Sequence, residues 1–132
     1  MADFTTLARS IVDAAVRDAT DHDMSAAIVV VDSSREVVAA LRMDGSFPST
    51  FTVALAKART ALNFERPTDV MKERVTFENR VALQGLGFGL AFLGGGEPII
   101  VDGRILGALG VSGGSEDQDI ACARAAVTGS TA

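Results

Sequence analysis

The stretch PIIVDGRILGALGV, residues 98–111, constrains the chain more than any other. Two runs of β-branched and aliphatic residues flank Asp102-Gly103, the pair favoured by a two-residue type I′ turn, so a strand is expected on either side. A second hairpin is read earlier. AAIVVVD is a β-branched run closed by Ser33 and Ser34, and EVVAALRM returns as its partner. Both hairpins turn after a Val-Asp, which we read as shared turn physics, since one pair does not establish a repeat.

Helices are read between and around these hairpins. From Phe4 to about Asp21, the residues Phe4, Leu7, Ala8, Ile11, Val12, Ala15 and Ala19 recur at three- and four-residue spacing, and Asp3 is the expected N-cap. The spacing of Phe47, Phe51, Ala54, Ala58, Ala61 and Leu62 predicts a second helix over 47–64. It stops short of Pro67, whose ring disfavours a helical residue ahead of it. Thr68 to Val81 predicts one short amphipathic helix capped by Thr68. Six glycines lie between Gly85 and Gly96 among Leu and Phe, which suggests a strand or loop whose backbone packs closely against a partner subunit or a flat ligand. Ser115 with Gln118 three residues on matches a capping box and opens the last helix, after which residues 129–132 are expected to fray. The order implies one α+β domain over 3–128, an antiparallel sheet of about five strands with helices packed on it.

Charge and residue usage narrow the function. The 132 residues carry 12 Lys and Arg against 17 Asp and Glu, a net charge of -5, with no basic stripe of the kind a phosphate backbone requires. Nucleic acid is not expected as a partner. The chain has neither Trp nor Tyr to stack on bases, only seven Phe. Its apolar runs are too short to span a bilayer and its start lacks the pattern of a secretion signal, so no membrane contact and a cytoplasmic location are expected. A hydrophobic content of 48% and a mean hydropathy of +0.28 exceed what a monomer of this size should expose, which predicts a homo-oligomer, a dimer or higher.

Several residues are candidates for chemistry. GVSGGSEDQD, Gly110 to Asp119, joins a glycine turn to a helix start, so Ser112, Gly113, Gly114 and Ser115 could present N–H groups to an anion. The same residues also suffice for a plain strand-to-helix turn, and Glu116, Asp117 and Asp119 would repel an anion. Lys57 interrupts a small and apolar stretch of the second helix, where burial would tune its amine, or where it would pair structurally with Asp44 or another carboxylate or snorkel to water. Arg42 could clamp a carboxylate and Met43 could line an apolar pocket or approach an iron as a soft ligand, while the simpler reading is a turn built by Asp44 and Gly45. His22, the one histidine, sits in a polar connection and reads as a surface residue. Cys122, the one cysteine, reads as core, and together with His22 it cannot complete a tetrahedral zinc site. No metal site is expected.

The segments IVVVDSSREVVAALRMDG, KARTA, GGGEPIIVDG, GALGVSGG and EDQD, in that order, resemble the GlcG/HbpS-like family, which includes the C-terminal domain of PduO-type adenosyltransferases. The resemblance covers about Phe4 to Val127 and departs in the first hairpin turn, where Ser33 and Ser34 replace two glycines. It implies a profilin-like or PAS-like fold, oligomers, and haem binding with slow haem degradation in several members. It also makes Lys57 the first choice for a functional residue. With haem as the cofactor, ligation would fall to His22, Met43 or a hydroxyl such as that of Thr60, or haem would be held in a weak surface mode. Two alternatives stand beside it. One is a cofactor-free enzyme acting on a small carboxylate-bearing catabolic metabolite, with Arg42 holding the carboxylate, Lys57 as acid, base or nucleophile, and Asp44 or Glu116 moving protons. The other is a noncatalytic oligomeric accessory module.

Overall fold

Helix α1 (Phe4–Asp21) opens the computed structural model, which describes residues 3–131, and the Asp3 carboxylate caps it by accepting the Thr6 N–H at 2.8 Å. Its buried residues, Ala8, Ile11, Val12, Ala15 and Ala19, are the ones the helical spacing selects. Strands β1 (Ala27–Asp32) and β2 (Val37–Arg42) form the first hairpin, whose turn is held by the Asp32 carboxylate accepting the Ser34 N–H at 2.8 Å. Two serines thus make the turn without glycine, although Arg35 takes a left-handed φ of 70°.

Helix α2 (Thr50–Phe64) starts three residues later than its apolar spacing predicts. Phe47 precedes Pro48, which biases it to extended backbone, and the Thr50 hydroxyl donates to its carbonyl at 2.7 Å. The single helix expected over 68–81 is two, α3 (Thr68–Arg74) and α4 (Phe77–Gln84). Val75 turns extended and Thr76 recaps the chain, its hydroxyl accepting the Asn79 N–H at 3.2 Å. Thr68 is not a cap either. Pro67 holds that position, and the buried Thr68 hydroxyl accepts the Gly96 N–H at 2.8 Å.

Strands β3 (Gly96–Val101) and β4 (Arg104–Ser112) are joined by Asp102 and Gly103, with φ of 51° and 76°, the positive pair that a type I′ turn requires. Helix α5 (Glu116–Thr131) carries the expected box: Ser115 N–H donates to Gln118 Oε1 at 2.9 Å and Gln118 N–H to Ser115 Oγ at 3.2 Å. The helix includes residues 129–131, where fraying was expected, and Ala132 lies outside the described residues.

The four strands run antiparallel in the order β2-β1-β4-β3. This is the expected α+β architecture with one strand fewer, because the glycine-rich stretch pairs into the sheet only from Gly96 onward. Alternation along β1 divides the core. Ile28 and Val30 face α1 and α5, while Ala27, Val29 and Val31 face the alanines of α2. Gly96 and Gly110 are cross-strand partners, and a Cβ on either would collide with the α2 backbone, at the Lys57 and Ala54 carbonyls respectively. The close approach expected of the glycine series is therefore made, at this end, by the chain's own helix. Seated on two glycines, α2 covers β1, β4 and β3 and brings Lys57 down to the sheet.

Candidate functional site

Lys57 is 3% exposed, and its amine donates to the Val111 carbonyl at 2.9 Å and to Asp119 Oδ2 at 3.0 Å. Asp119 lies one turn into α5, where its other oxygen accepts the Gly114 N–H at 2.9 Å. Burial pushes the Asp119 carboxyl above its ordinary range, against the opposing pull of Lys57 and of the Gly114 N–H. The group joins α2, β4 and α5 through one cation. Beside it, Glu116 accepts the Gly94 N–H at 2.7 Å and the Lys72 amine at 2.8 Å, and the Lys72 bond is the main reason its carboxyl is lowered, followed by Gly94. An open cleft of about 290 Å³ in front of these groups is lined by Val53, Leu93, Gly94 and Ser112 as well as Lys57, Glu116 and Asp119.

The structure therefore brings Lys57, Ser112 and Glu116 together, with Gly113, Gly114 and Ser115 forming the adjoining turn. The carboxylate seated at that turn is the chain's own Asp119. Asp44 is not the partner of Lys57. It lies exposed in the turn before Gly45, whereas Asp119 comes from 62 residues away. Arg42 faces Ala27 in the cross-strand row that ends at Ser112, yet its guanidinium donates to the Ser46 carbonyl at 3.3 Å and stays in solvent. Met43 packs against the core on the α1 and α5 side, across the sheet from Lys57. The Thr60 hydroxyl is committed on both sides, donating to the Ala56 carbonyl at 2.7 Å and accepting the Ala91 N–H at 2.8 Å.

His22 ends α1 with its side chain 63% exposed, and the Asp18 carbonyl and carboxylate raise its pKa. Cys122 is buried against the Ala15 carbonyl, and burial pushes its thiol up to about 12, a core residue as expected. Asp119 and Lys72 went unseen as partners. Asp119 had a local signal, since it stands four residues after Ser115 and so returns to the face of the turn that Ser115 opens. Lys72 had none.

Past α3 the packing changes. Helix α4 buries none of its residues, and Phe77, Val81, Leu86, Phe88 and Leu93 are exposed at 72%, 54%, 60%, 49% and 45%. Phe92 turns inward and meets Phe64 with ring centroids 5.7 Å apart, anchoring the end of the segment. Among the described residues no three of His, Cys, Asp and Glu gather where they could hold a metal ion, and no helix is long and apolar enough to cross a membrane.

Three likenesses bear on this arrangement. Protein GlcG of Escherichia coli K12 is 37% identical over 106 residues, which are 80% of this chain and 78% of GlcG. A double mutant of Streptomyces reticuli HbpS superposes with a TM-score of 0.85 at 30% identity, over 94% of this chain and 84% of that one. PduOC, solved as a haem complex, superposes with a TM-score of 0.87 at 25% identity, over 97% and 93%. The model of the family described as haem degrading protein HbpS-like matches residues 5–128, and the chain belongs to that family.

Proposed function

We propose that this chain binds haem, with the porphyrin lying against the apolar surface carried by residues 77–93. The observation that carries the reading is the exposure of Phe77, Val81, Leu86, Phe88 and Leu93 on a segment whose helix buries nothing. Apolar side chains exposed to this extent cost free energy that an apolar ligand covering them would recover. The haem complex of PduOC and the description of the family support haem as that ligand.

The fit lies in the apolar face and not in the residues the sequence suggested as iron ligands. Met43 packs against the opposite core, the Thr60 hydroxyl has both partners inside the chain, and His22 sits at the end of α1. Haem would supply a redox-active iron. The chain's own contribution is a surface that removes one porphyrin face from water. An enzyme working through Lys57, Arg42 and Asp44 finds less support, because the Lys57 amine already has two acceptors and neither Arg42 nor Asp44 lines its cleft.

Titration of the purified apo protein with haemin, followed by absorbance, tests the reading. A saturable Soret shift is expected, weakened by Val81→Asp and unchanged by His22→Ala. A flat titration at micromolar protein would overturn it.

A further inference from the structure

A cleft of about 400 Å³ opens between the β1–β2 turn, the end of α2 and the α4 segment, lined by Arg35, Asn63, Phe64, Leu83 and Phe88. We propose that this cleft holds the carboxylate edge of a flat apolar ligand, with Arg35 as the anchoring cation.

Arg35 is held in place from its backbone outward. It occupies a left-handed turn position, its N–H donates to the Asp32 carbonyl at 3.0 Å, and its own carbonyl accepts the Arg59 Nε–H at 3.0 Å. Its guanidinium donates to the Phe88 carbonyl, which ties the turn to the glycine-rich loop. The remaining donors are unmatched. Nε is buried without a hydrogen-bond partner, and among the described residues no carboxylate lies within 4.0 Å of this guanidinium.

A second arginine shows the same condition. Arg80 precedes Leu83 by three residues and so shares its face of α4. Its Nε is also buried without a partner, its guanidinium lies over the Phe77 ring at 6.0 Å from the centroid, and it too has no carboxylate within 4.0 Å among the described residues. Among the described residues Arg124 alone of the ten arginines has a carboxylate within 4.0 Å, so what sets Arg35 and Arg80 apart is a buried Nε that no group of the chain accepts from, a donor that a ligand's negative oxygen would satisfy.

The walls define the rest of the ligand. Phe64, braced by Phe92, and Phe88 and Leu83 take a planar apolar body, while the guanidinium fork matches a carboxylate. The Asn63 amide adds a neutral polar group at the wall. A haem propionate and a small aromatic carboxylate share this chemistry, and the haem case rests on the function proposed above.

The test compares wild type with Arg35→Gln using haemin, haemin dimethyl ester and 1-pyrenecarboxylate. The substitution should weaken haemin and pyrenecarboxylate by about tenfold or more, the span of a lost charge-assisted hydrogen bond, and leave the ester's weaker binding unmoved. Equal binding of both acids to the two proteins overturns the site while leaving haem binding elsewhere intact. Pyrenecarboxylate binding that depends on Arg35, with a flat haemin titration, upholds the site and overturns the haem reading, identifying the small acid as its ligand. No binding of either acid to wild type overturns both. If Arg35→Gln does not fold, Leu83→Glu, which sets a carboxylate in the cleft from exposed α4, should weaken both acids equally well, and unchanged binding would overturn the site.

Discussion

Around Lys57 the polar atoms answer one another: the amine has two acceptors and each oxygen of Asp119 has a donor, all beneath a helix seated on two glycines. Across the glycine-rich loop, α4 buries none of its residues, and the guanidinium groups of Arg35 and Arg80 each keep a buried nitrogen without a partner. The two regions flank the same loop, yet one is closed by the chain itself and the other is left incomplete. A closed charge pair stabilises a fold only while both members are present, whereas an incomplete surface leaves free energy for a ligand to recover.

The largest effect should come from opening the closed region. Lys57→Met strands the Asp119 carboxylate in the core, and the expected loss is about 3–5 kcal/mol of unfolding free energy, with Lys57→Met combined with Asp119→Leu recovering much of it. Denaturant titration of the three proteins measures this. A single-variant loss below about 1 kcal/mol would mean that the pair does not hold the region together.

A smaller effect concerns Glu97 of β3, a buried carboxylate of the packed half with one oxygen unmatched. Burial pushes its carboxyl up to about 7 despite Arg124, whose Nε lies 3.4 Å away, and Oε2 has no partner. Because the folded value lies above the ordinary 4.5, the folded state takes up the proton more readily. The stability from this group is therefore whole below about pH 4.5 and is lost as pH rises through about 7. Glu97→Gln should remove that slope, gaining on wild type by on the order of 1–2 kcal/mol at pH 8 relative to pH 5. Parallel stability curves for the two proteins would show that Glu97 finds solvent or a partner when charged.

The smallest effect should lie in α4. Val81→Ser removes an exposed side chain and is expected to change stability by less than about 0.5 kcal/mol, while the amides of 77–84 exchange with opening free energies far below those of α2. Equal protection of α4 and α2 in the apo protein would erase the contrast between the regions.

Much of the framework was legible because its signals are local. Asp102-Gly103 specifies its own turn, the three- and four-residue spacing of α1 names its buried face, and Ser115 with Gln118 caps α5 within one turn. Where two local signals competed the reading went astray. Thr76 acts as a cap in the middle of an amphipathic stretch and divides it into α3 and α4, and Pro48 delays α2. Lys57 was legible as a residue out of place among alanines and Asp119 as a residue of the turn face, but their pairing was not, because Asp119 reaches Lys57 only once α2 and α5 pack at the same end of β4.

The α+β alternation, the two hairpins, the starts of α1 and α5 and the family are written in the chain, since each rests on neighbouring residues or on motifs read in order. The packing of distant elements settled which polar groups find partners: it gave Lys57 to Asp119 and Lys72 to Glu116, and left a buried Nε on Arg35 and on Arg80 unmatched. Backbone preferences act over a few residues and can be read along the chain, whereas a charge is matched or left unmatched by whatever distant elements bring within about 4 Å of it.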